Sequence, residues 1–445
     1  MQPLRDDCLS WGRVHRYEHR AAMPAFEDQA RAELVAAAAR AEKVLPYGLG
    51  RSYGDSCLNA GGELIVTRAL DRFVAFDPVQ GEIECEAGVS LAQILDLLTS
   101  RQEHEPRWFL PVTPGTKWVT VGGAIANDVH GKSHHASGTF GSHVRSFRLL
   151  RSDGGVLTCS ARENIELFRA TIGGLGLTGL ILSARLALAR VDGYLLECED
   201  VRYDDLGQFF ALSQQSNDWT YTVAWVDCLA RGAHLGRGVF SRARHAKTSR
   251  APVNRGRKLS VPIDAPEIML NRASVRAFNA LRWRRFPRQP KLALRDFGPV
   301  LYPLDAIGHW NRLYGKRGFY QYQCVVPAGD AQASVRELMT RIAASRESAF
   351  LAVLKVFGDK PAAGLLSFPM EGATLALDLP NRGASTLALM NDLDAVVREA
   401  GGRLYPAKDG RMSGSDFRRG FPRWEEFREH VDPAFSSSFW RRVTA

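Results

Sequence analysis

Between Pro114 and Gly141 the chain reads PGTKWVTVGGAIANDVHGKSHHASGTFG, and this stretch restricts the fold more than any other. Glycine adds no side chain to a core and costs backbone entropy. Glycines repeated among β-branched residues, hydroxyls, Lys132 and the histidines 130, 134 and 135 therefore mark main chain that turns sharply or closely approaches something. A packing helix or strand is not written this way. The reading is of backbone laid against a large, flat ligand.

A second glycine loop, Pro46-Tyr-Gly-Leu-Gly-Arg-Ser-Tyr-Gly-Asp-Ser56, follows a short strand at Lys43–Leu45. Successive N–H groups exposed by glycines make an anion nest, and the hydroxyls of Ser52 and Ser56 add donors, so a pyrophosphate or a plain turn fits here. No Gly-Lys-Ser/Thr follows, which excludes a Walker loop. Gly50-Arg-Ser-Tyr-Gly54 matches the nucleophile elbow of hydrolases, but that elbow needs a helix immediately after it, and residues 55–62 are poor helix formers. Gly174-Leu-Gly-Leu-Thr-Gly179 is a literal G-x-G-x-x-G with a helix before it and a strand after it, the reverse of a dinucleotide fingerprint. Its glycines remain candidates for lining a cofactor. His130 and His134 have i, i+4 spacing, but Gly131 and Gly138 oppose a helix and no carboxylate stands between them. Hydrogen-bonding histidines beside a polar ligand are read here, and no metal site.

The chain of 445 residues is long enough for two or three domains. Its seven cysteines are odd in number, scattered and never in C-x-x-C, which argues against a disulfide framework or zinc cluster and for a reducing compartment. The first twenty residues hold no apolar leader, and no run of apolar residues is long enough to span a bilayer, so a cytoplasmic protein is expected. The net charge of +10 is local: residues 231–295 hold seventeen Lys and Arg against Asp264 and Glu267, leaving the rest of the chain at −5. Such a patch suits phosphates of nucleic acid, membrane or substrate, or is a solvated surface. Without interleaved aromatics a nucleic-acid binder is disfavoured, and no nucleic-acid partner is expected.

Periodicity predicts helices over 27–41, 91–101 (capped by Ser90), 163–170, 331–345 and 385–400, with a basic amphipathic helix in 266–287. Strands are predicted at 63–69, 73–76, 81–87, 145–150, 156–160, 180–188, 220–227, 319–326, 351–357 and 374–378. Many short strands without regular β-α-β alternation give an α+β fold.

Gly48-Leu-Gly-Arg-Ser-Tyr-Gly-Asp55 and the run Val121-Gly-Gly-Ala-Ile-Ala-Asn-Asp-Val-His-Gly-Lys132 resemble the flavin-binding half of the vanillyl-alcohol-oxidase (PCMH-type) FAD oxidoreductases. The likeness runs almost end to end, through Val223-Ala-Trp-Val-Asp227, Tyr302-Pro-Leu-Asp305, Gln321-Tyr-Gln323, Leu354-Lys-Val-Phe357, Ser367-Phe-Pro369 and Arg403-Leu-Tyr-Pro-Ala-Lys-Asp409. Within that superfamily it is nearest to the branch that oxidises a prenyl-phosphoryl ribose at its 2-prime hydroxyl, one half of a two-enzyme epimerase. The resemblance implies a PCMH-type FAD domain at 1–190, an antiparallel-sheet substrate domain at 191–402 with a basic mobile segment at 231–295, and a tail at 403–445 returning to the FAD domain.

By the same resemblance Pro46, Tyr47, Gly48, Leu49, Gly50, Arg51, Ser52, Tyr53, Gly54, Asp55 and Ser56 hold the FAD pyrophosphate. Gly115, Thr120, Val121, Gly122, Gly123, Asn127, Asp128, Val129 and His130 line the flavin, and Ile181 and Tyr405 complete its site. Arg51 occupies the place where many relatives carry a flavin-linking histidine, so non-covalent FAD is expected. Lys408 is the first candidate for orienting a substrate hydroxyl, with His130 and Tyr53 for proton handling. Lys132, Trp225, Tyr302, Gln321, Gln323, Lys355, Phe357, Thr374 and Ala376 are the expected substrate contacts. Relatives often carry Asn and Cys where Thr374 and Ala376 stand, which bears on the substrate. The expected partners are a sugar or prenyl-phosphoryl sugar, an NAD(P)-dependent reductase and an anionic membrane face touched peripherally. A soluble alditol or sugar oxidase is the alternative.

Overall fold

A computed structural model describes every residue except 1–3, 6, 102, 104, 249–258, 267–269 and 350. The N-terminal half is built on two sheets. One has four strands in the order Leu4–Arg5, His19–Ala22, Glu63–Val66, Val44–Tyr47, the last three mutually parallel. Helix Glu27–Ala39 covers it, and its residues Ala30, Leu34 and Ala37, spaced by one helical face, bury against Val44 and Ile65. The other sheet is antiparallel, ordered Phe73–Asp77, Glu82–Glu86, Leu180–Ala187, Val144–Leu150, Val156–Ser160.

Helix Leu91–Ser100 starts where the sequence places it. Ser90 Oγ accepts from Gln93 N at 3.2 Å and Gln93 Oε1 accepts from Ser90 N at 2.8 Å, a capping box that satisfies two first-turn donors. This corner positions the glycine stretch, because Val121 N donates to Val89 O and Leu91 N to Val119 O.

The second half holds an eight-stranded antiparallel sheet ordered Ala293–Asp296, Leu195–Tyr203, Gly238–His245, Tyr221–Val226, Ala352–Phe357, Gly372–Pro380, Phe319–Pro327, Arg403–Leu404. Helices Ala331–Ala344 and Ala384–Glu399 seal one face, where Tyr322, Cys324, Leu354, Leu375 and Leu377 join Val335, Leu338 and Leu393 in the main core. Because side chains alternate along a strand, the intervening residues share the opposite face. The register sets Gln321 against Asp378, Gln323 and Val353 against Ala376, and Lys355 against Thr374. That polar face points towards the glycine loops.

Beyond Arg403–Leu404 the chain crosses back to the first half. Phe435 bridges Val44, Ser438 N donates to Leu58 O at 2.8 Å, and Arg442 forks onto Asp55. The α+β architecture is the one expected.

The structure differs from the expected elements in three places, and the basic segment is partly regular. The strand from Glu63 stops at Val66 and gives way to a 3-10 turn over Thr67–Ala69. The helix expected from residue 163 starts at Ile165, because Asn164 adopts φ 48°. A helical turn forms at His134–Ser137 where none was read, beginning after Gly131 and ending at Gly138, whose φ is 71°. Parts of the segment expected to be mobile are built into the sheet as Gly238–His245 and Ala293–Asp296, and Arg272–Arg285 is a helix; residues 249–258 and 267–269 lie outside the described residues. Five of its basic residues, Arg237, Arg242, Arg244, Arg288 and Arg295, pair with carboxylates among the described residues.

Candidate active site

A cavity of about 550 Å³ lies between the two glycine loops and the polar face of the large sheet. The first loop is pinned at both ends of its turn: Trp11 N donates to Ser52 O at 2.7 Å and Tyr53 N to Ala407 O at 2.9 Å. Close approach explains its glycines. A Cβ on Gly48 would stand 2.5 Å from Thr120 Oγ1, and one on Gly54 would stand 1.6 Å from the Asp409 carbonyl oxygen. In the second loop Thr120 caps the short helix Val121–Ala126, and Gly122 N donates to Ala87 O at 2.8 Å.

These walls suit FAD. The backbone N–H groups of Leu49, Gly50, Arg51 and Ser52 have no hydrogen-bond partner among the described residues, and Ser56 Oγ is buried without one. Donors left open in a cavity wall are what a pyrophosphate requires. A Cβ on Gly115 would meet nothing within 4 Å, so this glycine faces open space in the cavity. Pro46, Gly48, Leu49, Gly50, Arg51, Ser52, Tyr53, Ser56, Gly115, Thr120, Gly122, Gly123, Asn127, Val129, His130, Ile181 and Tyr405 all line it. Gly176 and Gly179 of the G-x-G-x-x-G decoy line it too. Arg51 Nε donates to Trp118 O at 3.0 Å and its guanidinium lies 4.0 Å from the Trp11 ring centroid.

The remaining residues expected at the cofactor stand behind the wall. Tyr47 donates to Leu9 O at 2.7 Å, Val121 is in the core, and Gly54 packs on Asp409. Asp55 is held by Arg442 at 2.7 Å. Asp128, at φ 38°, accepts from Gly141 N and from Ser367 Oγ, so it braces the second loop from outside the cavity.

Of the expected substrate contacts, Gln321, Gln323, Lys355 and Ala376 line the cavity. Trp225, Tyr302, Phe357, Thr374 and Lys132 do not line it. Trp225 sits under the Arg282 guanidinium, Tyr302 OH bonds Thr113 Oγ1 at 2.8 Å, and Phe357 packs edge-on against His130. Thr374 donates to Cys324 O and accepts from Gln323 Nε2, so its hydroxyl is spent within the sheet. Lys132 Nζ donates to Leu301 O at 2.7 Å.

The three candidates for chemistry meet at the sheet end of the cavity. Lys408 is carried there from the C-terminal edge strand, and its Nζ stands 3.7 Å above the Tyr53 ring centroid. Gln323 Nε2 lies 3.1 Å from His130 Nε2, and Lys355 Nζ lies 3.4 Å from His130 Nδ1. With Gln323 donating to Nε2, the single proton of a neutral imidazole sits on Nδ1 and is offered to Lys355, which must then be an uncharged amine. The electrostatics agree. Burial, and then the charges of Lys132 and Lys408, lower the Lys355 pKa to about 7, and burial drives that of His130 well below its usual value. Burial also lowers Lys132 to about 8. Burial lowers Lys408 as well, against the opposing pull of Asp378, whose own pKa burial raises. Tyr53 is raised by burial and stays a phenol. Several amines are thus packed with only Asp378 and Asp305 among the described residues acting as opposing charges, an arrangement that favours a ligand bringing negative charge.

Sequence reasoning missed part of the lining. Asp305 and the turn Ile307–Trp310 also close the cavity, with Asp305 accepting from Thr116 Oγ1 at 2.6 Å and Lys117 N at 2.9 Å. Asp305 was within a quoted motif without a role. Asp378 was legible only through its alternation with Thr374 and Ala376. Trp11 and Leu175 carried no local signal. Among the described residues no cluster of His, Cys, Asp or Glu is arranged to hold a metal.

Comparison with known proteins agrees with this geometry. The FAD binding domain family model matches residues 19–160. The chain is 37% identical to the decaprenylphosphoryl-beta-D-ribose oxidase of Mycolicibacterium smegmatis over 419 residues, covering 90% of this chain and 89% of the relative. It is 37% identical over 358 residues to an uncharacterised Streptomyces coelicolor protein from the mprA 5′ region, covering 76% of this chain and 96% of that protein. A shorter likeness, 31% over 121 residues, covers 27% of the chain and 22% of the human Delta(24)-sterol reductase.

Proposed function

The chain belongs to the FAD-binding oxidoreductase family of decaprenylphosphoryl-β-D-ribose oxidase, and from that premise we propose that it oxidises the 2-prime hydroxyl of a prenyl-phosphoryl ribose to a ketone. It is an FAD-dependent oxidoreductase acting on a CH–OH group. The observation that carries the reading is the meeting of Lys408, Gln321, Gln323, Lys355 and His130 on one side of a cavity whose other side is glycine backbone with open donors. Leu49 to Ser52 and Ser56 would hold the pyrophosphate, and Gly115, Gly122, Gly123, Asn127 and Tyr405 the ring system. Bound there, FAD supplies the hydride acceptor.

The protein's share is placement and charge. Gln321 and Gln323 orient the sugar, and Lys408 orients the reacting hydroxyl and offsets negative charge as its proton leaves. Lys355, neutral in the resting arrangement and lining the cavity, is the candidate proton acceptor. Lys132, anchored on Leu301 O behind the wall, adds positive charge that favours an anionic head without touching it. Thr374 and Ala376, where relatives often carry Asn and Cys, leave no thiol on this wall. The ketone would pass to an NAD(P)-dependent reductase for completion of an epimerisation.

Anaerobic bleaching of the flavin band tests the substrate. Prenyl-phosphoryl ribose should bleach it. Bleaching by free alditols alone would favour a soluble alditol oxidase. Cofactor fluorescence that leaves the polypeptide on a denaturing gel is expected for non-covalent FAD, since Arg51 cannot form the histidyl link.

The domain assignment follows the same reading: a flavin domain at 1–190, a substrate domain at 191–402 and a returning tail at 403–445. No helix among the described residues is long and apolar enough to cross a membrane. Peripheral contact is supported by the basic segment, where Leu259, Ile263, Leu281, Leu292 and Leu294 are exposed, as are Arg276 and Arg284, which pair with no carboxylate among the described residues. Cations near an anionic surface contribute about 1 kcal/mol each. Co-sedimentation with anionic liposomes at low salt is expected, and its absence would remove the membrane contact.

A further inference from the structure

We propose that Asp378 is a positioning residue for this reaction: its carboxylate supplies the counter-charge that keeps Lys408 an ammonium directed into the cavity. This rests on the reading that Lys408 acts on the substrate.

Asp378 is 1% exposed and stands on the cavity-facing side of strand Gly372–Pro380, directly across from Gln321. Its Oδ1 accepts from Gln321 Nε2 at 2.5 Å, and its backbone N donates to Leu351 O at 3.0 Å. Oδ2 has no hydrogen-bond partner among the described residues. Lys408 mirrors this. Its amine touches the Tyr53 ring face and makes no hydrogen bond or ion pair among the described residues. Gln321, bonded to the carboxylate, and Tyr53, under the amine, bring both groups to one end of the cavity, so the two buried charges offset each other through space rather than as a contact ion pair.

Groups from every neighbouring element bear on this pair. Tyr53 comes from the first glycine loop and Tyr314 from the turn Trp310–Tyr314, with its hydroxyl beside Asp378; burial raises both, so they stay neutral. His130, from the second loop, is held neutral by burial. Lys355, on the adjacent strand, is lowered to about 7 by burial first and is the neutral amine beside His130, while Arg51 and Asp305 act on Tyr53 rather than on the Lys408 amine. Among the described residues, Asp378 is the group whose charge favours the protonated Lys408. Gln321 thus both lines the cavity and holds the carboxylate through its Nε2.

The test begins with Lys408→Met. Loss of turnover upholds the role of Lys408; full turnover would sink that role and the proposal with it. Asp378→Asn, nearly isosteric, then removes only the charge. The Lys408-dependent limb of the kcat/KM pH profile should move down by about one pH unit or more, whichever protonation state of the amine is active. Asp378→Glu should restore part of the shift. The ¹³Cε signal of Lys408 in the resting holoenzyme, identified by its loss in Lys408→Met, should report the same displacement. An unmoved limb together with an unmoved signal, in Asp378→Asn enzyme that retains its flavin, would overturn the proposal while leaving Lys408 in place. Should the Asn variant fold poorly, Asp378→Ser makes the same comparison with a smaller side chain.

Discussion

Gly54 shows how a single residue sets the limits of the site. A methyl group there would lie 1.6 Å from the Asp409 carbonyl oxygen, far inside contact distance, and backbone on both sides blocks relief. Gly54→Ala should therefore push the first loop away from the tail, lowering stability by about 2–4 kcal/mol and releasing FAD. Thermal melting and the flavin-to-protein absorbance ratio would measure both effects. Wild-type flavin retention would show that the contact yields. Gly115→Ala, into open space, should leave the melting temperature near wild type but reduce flavin content. That contrast separates glycines needed for packing from glycines needed for the ligand. Both were legible in the sequence as glycine loops. Which neighbour each glycine faces was not, because Asp409 lies more than three hundred residues from Gly54.

The tail acts as a clasp on the first loop. Arg442 forks onto Asp55 at 2.7 and 3.0 Å and reaches Asp409 at 3.0 Å, so one guanidinium ties the first glycine loop to the turn that presents Lys408. Asp55 is 3% exposed and Asp409 is 9% exposed, and both lose their main countercharge if Arg442 is removed. Arg442→Ala should cost about 3–5 kcal/mol, the usual penalty for stranding a buried charge. Arg442→Lys should recover only part, since an ammonium cannot reproduce the fork. Urea unfolding followed by tryptophan fluorescence measures the difference, and a loss below about 1 kcal/mol would show that the pair is screened. The strands that carry the cavity floor were legible at this scale: period-two alternation in 319–326 and 374–378 put Gln321 and Gln323 on one face. The pairing that sets Asp378 beside Gln321 was not legible, because register is decided between strands.

Across the whole molecule, burial of histidines predicts the response to acid. His245 has its pKa lowered by burial to about 4, and His134, buried with neither ring nitrogen hydrogen-bonded among the described residues, to about 3. The unfolded chain protonates near 6.5. Below that pH the unfolded state takes up protons the native histidines refuse, so each withdraws about 1.4 kcal/mol of stability per pH unit until its native pKa is reached. The contribution is present above pH 6.5 and is lost as pH falls through the window down to about 4 for His245 and about 3 for His134. Comparing urea midpoints at pH 7.5 and 5.0, His134→Leu should show a smaller acid loss than wild type; an equal loss would show that His134 protonates without opening the fold. The amino-acid order alone determined the fold class, the two glycine loops, most helices and strands, and the residue types of the cavity wall, because propensity, capping and side-chain alternation act over a few neighbours. The closing of the cavity by Asp305 and the turn Ile307–Trp310, the seating of Lys408 over Tyr53, and the retreat of Lys132, Tyr302 and Thr374 behind the wall were decided by tertiary structure alone. Each depends on burial and charge arising between segments far apart in the chain, where no local pattern reaches.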